Sequence, residues 1–286
     1  MVINGKNIAD EIRGEIKKSI AELKSPRKPG LAFLLVGEHA PSHTYVNMKK
    51  KACADVGIES HVFELPEAIT EPELLEKIDS LNRDSAIDGI LVQLPLPSHI
   101  NEHRITLAID PTKDVDGFHP INVGKLLLGQ TDGFVPCTPL GIKVLLERAK
   151  IQVEKRHVVI VGRSNIVGKP LAALLIQKMP HCNATVTIAH SHTQNLPELT
   201  RQADILIAAI GRPRFITADM VREGAVVIDV GINREATPSG PRLVGDVDFE
   251  NVEKKCPDIT PVPKGVGPMT VTMLLQNTLQ SFLRRQ

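Results

Sequence analysis

Tyr45 and Lys49 stand four residues apart, a spacing that puts both on one face of a helix. Tyr45 is the one tyrosine in the chain. A lysine moved into an apolar setting has its pKa lowered, which lets it pass protons near neutral pH. The same pair also suits an ordinary charged helix surface, because Lys50 and Lys51 follow directly. Gln93 interrupts the apolar run Ile90–Leu96. A polar side chain there needs a hydrogen-bond partner, either backbone or a ligand at the carboxyl end of a strand. Asp114 and Asp116 lie in a loop that ends at Gly117. Two carboxylates so spaced can approach a metal, yet no further ligands accompany them and such acids commonly cap turns. No metal is expected.

A second group could hold a nucleotide. The segment Val161-Gly162-Arg163-Ser164-Asn165-Ile166-Val167-Gly168 leaves an apolar strand and opens a helix. Glycines there permit a tight turn and close backbone approach, and the free N–H groups of a helix start attract a pyrophosphate. The pattern is G-x-S-x-x-x-G rather than G-x-G-x-x-G, so a strand–helix turn without nucleotide also fits it. A site for NAD usually has an acid at the end of the second strand, which bonds the ribose hydroxyls. Here that strand ends in Ile188-Ala189-His190-Ser191-His192-Thr193, with no acid. With Arg163 in the first turn, a cation and small hydroxyl donors suit a 2′-phosphate, which favours NADP. Arg163 would serve equally as a solvated loop arginine.

The elements that must position these residues alternate. Ile8, Ile12, Ile16, Ile20 and Leu23 form one apolar stripe, so a helix precedes Pro26. Residues 31–36 read as a strand buried on both faces. Ser42 is placed to cap a helix that stops at Gly57. A strand follows over 58–65. Thr70 and Glu73 make a capping-box pattern for the next helix. Residues 89–94 read as a strand stopped by Pro95 and Pro97, and 101–109 as a short helix. Residues 110–139 are turn-rich, with a short helix near 121–128. The second half predicts helix 139–149, strand 157–161, helix 168–178, strand 184–189 and a short helix near 196–201. Strand 204–209, a helix near 217–222, strand 225–230 and a last helix over 268–284 complete it.

That order predicts an α/β protein of two α/β domains. The first covers 1–138 and is completed by the C-terminal helix 270–286. The second, 139–269, is a Rossmann-like dinucleotide domain, with an active-site cleft between the two. The 286 residues are 42% hydrophobic and 23% charged, ordinary for a globular chain, with a net charge of +1. Neither a nucleic-acid partner nor a membrane is expected from that charge, the absence of Trp and the lack of a long apolar run. The four cysteines show neither a C-x-x-C nor a metal-ligand spacing, which suits free thiols in a cytoplasmic protein.

Six segments in order resemble the bifunctional methylenetetrahydrofolate dehydrogenase/cyclohydrolase family. They are Tyr45-Val-x-x-Lys49, Val92-Gln93-Leu-Pro-Leu96, Lys113-Asp-Val-Asp116-Gly, Pro136-Cys-Thr-Pro139, Val161-Gly-Arg-Ser-x-Ile-Val-Gly168 and Pro261-Val-Pro-x-Gly-Val-Gly-Pro-Met-Thr270. They span nearly the whole chain. The resemblance implies a one-carbon enzyme that oxidises 5,10-methylenetetrahydrofolate with NADP and hydrolyses the methenyl product to 10-formyltetrahydrofolate. It implies Lys49 as the essential cyclohydrolase residue, Tyr45 stacked on the folate, Gln93 bonded to Lys49 and Asp116 bonded to the pterin. Pro263, Lys264 and Gly265 would complete the folate site. Gly162, Arg163, Ser164, Ile166, Gly168, His190, Ser191 and Ile232 would form the cofactor site. A homodimer is also implied. The family usually carries a second glycine in Pro-Val-Pro-Gly-Gly-Val-Gly, where this chain has Lys264. That lysine would strain the loop at a positive φ, and it offers a cation for folate's glutamate tail.

Overall fold

The computed structural model describes residues 2–237, 240–256 and 258–286. The chain divides into two compact units. One comprises Glu11–Cys137 with Val271–Gln286, the other Met1–Asp10 with Thr138–Thr270. Within the second of these units, Ile3 N donates to Ile259 O at 2.8 Å and Lys6 N to Lys264 O at 3.0 Å.

In the first unit, α1 (Gly5–Ala21, entering from the other unit) is followed by β1 (Gly30–Val36), α2 (Ala40–Val56), β2 (Glu59–Leu65), α3 (Glu71–Arg83) and β3 (Gly89–Val92). Short helices α4 (Glu102–Ala108) and α5 (Pro120–Leu127) come next. The strands form a parallel sheet in the order β2-β1-β3. Every residue of β1 is buried, which is why its sequence is apolar without alternation. Gly57, at φ +93°, ends α2 and donates to Cys53 O and Ala54 O. Thr70 and Glu73 form the full reciprocal capping box of α3.

Two local expectations change. The N-cap of α2 is His39, which makes no side-chain cap bond, and Ser42 lies inside the first turn. There its hydroxyl is 2.9 Å from His39 Nδ1. The strand expected to reach residue 94 ends at Val92, because prolines 95 and 97 cannot donate to a ladder. Gln93 makes the last backbone bond, N to Leu34 O at 2.9 Å, and so stands at the carboxyl end of β3 rather than inside it.

In the second unit, α6 (Cys137–Arg148), β4 (His157–Val161), α7 (Gly168–Leu175), β5 (Thr185–Ala189), α8 (Leu196–Thr200), β6 (Ile205–Ala208) and β7 (Val226–Asp229) follow one another. The parallel sheet has the order β5-β4-β6-β7. The chain therefore reverses direction of winding between β4 and β6, the switch point where such sheets bind ligands. α7 stops before residue 178, since the residue ahead of Pro180 is held away from helical ψ. The helix expected near 217–222 is a single 3₁₀ turn, Ala218–Met220. An antiparallel hairpin, β8 (Asn233–Thr237) and β9 (Gly240–Val244), had no sequence signal, because its strands lack an apolar alternation. α9 (Phe249–Val252) leads to α10 (Val266–Arg284), whose last part belongs to the first unit. There Ser281 Oγ donates to Asp88 O at 2.6 Å and to Thr112 O at 2.8 Å. Among the described residues no helix is long and apolar enough to cross a membrane.

Candidate active site

α2 carries Tyr45 and Lys49 one turn apart, both half-buried. β3 delivers Gln93 opposite them. Lys49 Nζ donates to Gln93 Oε1 at 3.1 Å. Gln93 Nε2 donates to Leu94 O at 2.8 Å. That second bond fixes which end of the amide faces the lysine, since only the oxygen can accept from an ammonium. Gln93 therefore bonds backbone, as its position alone suggested, and also reaches Lys49 across 44 residues of sequence, which a plain surface pair of Tyr45 and Lys49 would not do.

Asp116 joins the same locus. Burial pushes its carboxyl above the usual range, while the positive charge of Lys49 and a hydrogen bond with Cys137 pull it back. The loop that carries it is held from several sides. Asp114, buried, accepts from Gly117 N and Phe118 N at 3.2 Å, His119 N at 2.8 Å and Asn122 Nδ2 at 2.8 Å. This is a turn-capping carboxylate, pushed up to about 6 mainly by burial. Asn277 of α10 donates to Val115 O at 2.8 Å and Val135 O at 3.2 Å. Among the described residues no cluster of His, Cys, Asp and Glu could hold a metal.

Sequence reasoning did not find Cys137 and Asn277 as supports of Asp116. The available signal for Asn277 was a polar residue on the apolar face of the last helix, and it is 1% exposed. A group so buried must be bonded.

In the second unit the turn after β4 is shaped by contact. Gly162 has φ +141°, and a side chain there would run into the Ala209 carbonyl beyond β6. A side chain at Gly168 would run into the Gly162 carbonyl. Ser164 Oγ accepts from Val167 N at 3.1 Å, so the hydroxyl helps form the turn. Arg163, Ser164 and Ile166 project from it, exposed. After β5, His190 N donates to Thr193 Oγ1 at 2.9 Å and His192 N to His190 Nδ1 at 3.2 Å, which presents Ser191 outward. Ile232 follows β7 and is exposed. Pro263 and Lys264 are exposed and Gly265 is buried. Lys264 has φ +84°, the left-handed backbone that the sequence comparison with glycine anticipated.

The model of the tetrahydrofolate dehydrogenase/cyclohydrolase catalytic domain matches residues 3–116, and that of the NAD(P)-binding domain of the same family matches residues 136–286. The chain belongs to this family. A bifunctional protein FolD of Protochlamydia amoebophila is 58% identical over 289 residues, covering 100% of this chain and 99% of that protein. The crystal structure of the bifunctional FolD methylenetetrahydrofolate dehydrogenase/cyclohydrolase of Campylobacter jejuni superposes with a TM-score of 0.95 at 49% identity, covering 100% of this chain and 99% of that one. The Trypanosoma brucei dehydrogenase-cyclohydrolase, solved with NADP cofactor and inhibitor, gives a TM-score of 0.94 at 40% identity, covering 99% of this chain and 97% of that one.

Proposed function

We infer that this member of the dehydrogenase/cyclohydrolase family performs both reactions of its name. It oxidises 5,10-methylenetetrahydrofolate to the methenyl cation with NADP and hydrolyses that cation to 10-formyltetrahydrofolate. The observation that carries the reading is the Lys49–Gln93 hydrogen bond beside Asp116.

The residues after β4 suit a dinucleotide. Gly162 and Gly168 let the backbone of the turn pack tightly against neighbouring carbonyls, and the N–H groups at the start of α7 face a turn bearing exposed Arg163 and Ser164. Arg163, Ser164, His190 and Ser191 would hold the phosphates, with Ile166 and Ile232 as apolar contacts. When bound, the nicotinamide supplies the acceptor for the hydrogen and electron pair that leave the methylene carbon. The chain's part in that step is orientation, because the two nitrogens flanking the carbon stabilise the cation.

For hydrolysis, Tyr45 stacks on the folate and Asp116 bonds the pterin, which brings the methenyl carbon toward Lys49. Water adds its oxygen to that carbon. The water gives up both protons, one released to solvent and one passed to the ring nitrogen as the carbon–nitrogen bond opens, and Lys49 assists these transfers. Gln93 holds the Lys49 nitrogen in place.

A cytoplasmic homodimer in one-carbon metabolism, with products drawn on by purine, methionine and histidine biosynthesis, accords with this chemistry. Four free, buried cysteines support a reducing compartment. The near-neutral charge and scarce aromatics speak against nucleic acid as a partner.

The test is absorbance-followed oxidation of methylenetetrahydrofolate by wild type and Lys49→Ala, with NADP and NAD compared. NADP reduction by both proteins, with the methenyl product persisting only in the variant, is expected. If wild type reduces neither cofactor, the dehydrogenase reading fails; if Lys49→Ala hydrolyses at the normal rate, the role of Lys49 fails.

A further inference from the structure

Asp246, which has no surface open to solvent, fastens two loops at the carboxyl edge of the second sheet. Its Oδ2 accepts from Ile210 N at 2.6 Å and Gly211 N at 2.9 Å, in the loop after β6. Its Oδ1 accepts from Asn233 Nδ2 at 2.9 Å, in the segment after β7. Asp229, the last residue of β7, anchors Asp246 in turn. Its Oδ1 accepts from Asp246 N and Gly231 N, both at 2.9 Å, and its Oδ2 accepts from Val247 N at 2.9 Å. A side chain at Gly231 would collide with the Asp246 carboxylate, and one at Gly245 with that of Asp229. Two buried acids this close cost free energy, so the arrangement holds only because every oxygen meets a donor.

Ile232 stands between the fastened points Gly231 and Asn233 and is 47% exposed. Gly231 is tied through its backbone N–H and Asn233 through its side-chain amide, which limits how far the segment that presents Ile232 can shift.

The strand order says what that surface faces. A pyrophosphate at the turn after β4 sits at the switch point. The loop after β5, with Ser191 and no acid, lies on one side of it and suits the phosphorylated adenosine. The other half of the dinucleotide must then extend over the ends of β6 and β7. We propose that Asp246 is a positioning residue for the nicotinamide half of the cofactor, setting the spacing of the loops after β6 and β7 through Ile210, Gly211 and Asn233. This rests on the NADP reading above and adds to it a residue that does not touch the reacting atoms.

Titration calorimetry of the full chain separates the two halves. NADP is compared with adenosine 2′,5′-bisphosphate, which carries the adenosine and its phosphates but no nicotinamide. Asp246→Asn keeps the shape but removes the charge that the three donors share. It is expected to weaken NADP roughly tenfold and to change the bisphosphate by less than about twofold. Asn233→Ala, which leaves the Ile210 and Gly211 bonds in place, is expected to weaken NADP in the same selective way by a smaller factor and serves if Asp246→Asn does not fold. Parallel weakening of both ligands, or unchanged NADP binding in a folded variant, overturns the proposal. Wild type that binds neither ligand instead overturns the NADP reading itself.

Discussion

Gln93 accepts from Lys49 through Oε1 and donates through Nε2 to the carbonyl of Leu94, so its amide is held at both ends. A carboxylate in its place keeps the acceptor and loses the donor. Gln93→Glu would add a negative charge next to the ammonium, which favours the protonated lysine. It would also set an oxygen against the Leu94 carbonyl. We expect the cyclohydrolase rate to fall by about 10²-fold, the size of a lost proton-transfer group, and its pH optimum to move upward. Dehydrogenase turnover should stay within a few-fold. A pH–rate profile for methenyl hydrolysis checks this; an unmoved optimum would mean that Gln93 does not govern Lys49.

Arg163 tests the cofactor choice. Its guanidinium is exposed and free of a carboxylate ion pair among the described residues, which leaves it available to a 2′-phosphate. Arg163→Ala is expected to raise the KM for NADP roughly tenfold, a magnitude kept modest by solvent screening. The KM for NAD should change little, because that cofactor has no 2′-phosphate. Equal losses for both cofactors would assign Arg163 to the pyrophosphate instead.

The alternation of helix and strand was legible because β1, β4 and β6 are buried along their length and α1 shows its apolar stripe at regular steps. The Gly162 turn was legible as a turn because a glycine stands between an apolar strand and a helix start, although that pattern alone also fits a turn without nucleotide. The contact between Lys49 and Gln93 followed from the family resemblance and not from spacing, since it joins α2 to the residue after β3, which only the fold brings together. Asp246 and Asn277 were illegible for the same reason. Each bonds groups of distant segments, so even where a polar residue on an apolar face marks it as bonded, as for Asn277, its partners cannot be read from the sequence. The β8–β9 strand pair was missed because Asn233–Thr237 and Gly240–Val244 show no regular alternation of apolar and polar residues.

Lys264 occupies a left-handed backbone conformation at φ +84°. A side chain there costs about 1–2 kcal/mol relative to glycine, while glycine adds unfolded-state entropy that returns part of that difference. Lys264→Gly should therefore raise the melting temperature slightly, by roughly 2 °C. The substitution also removes an exposed cation. If that cation meets folate's glutamate tail, the KM for polyglutamyl folate will rise while that for the monoglutamate stays the same. Unchanged values for both would remove the tail contact and leave the lysine with a cost in strain alone.

Asp88 has no exposed side-chain surface and takes both arms of Arg27 at 2.6 and 2.8 Å, with Gly30 N at 2.9 Å. Its carbonyl accepts from Ser281 of α10. The Arg27 guanidinium also lies 4.7 Å from the Phe282 ring centre. The start of β1 and the end of the C-terminal helix are thus tied at one residue. Asp88→Ala leaves the Gly30 N–H without that acceptor and leaves the partly exposed Arg27 guanidinium with the Lys28 carbonyl at 3.3 Å, a loss of about 2–3 kcal/mol. Urea unfolding should show that loss. A change below about 1 kcal/mol would mean that water replaces the carboxylate without penalty.

Lys113 sets a pH dependence of stability with a definite sign. Its side chain is buried, and Nζ donates to Leu81 O at 2.8 Å and Asp84 O at 2.7 Å. Burial, and next the charge of Arg285, bring its pKa down to about 8, while Asp84, Asp110 and Asp88 oppose the shift. An unfolded lysine titrates near 10.4. Between about pH 8 and 10.4 the unfolded chain holds a proton that the folded chain has released, so stability rises with pH across that window. Below pH 8 both states hold the proton and the full penalty of burying the charge, at most about 3 kcal/mol, is present. Lys113→Met removes the titration. Unfolding free energies at pH 7.5 and 9.5 should then give a more positive slope for wild type than for the variant. Equal slopes would show that the two carbonyls hold the ammonium without a shift. The absolute stability of the variant does not decide this, because methionine leaves those carbonyls without a donor at either pH.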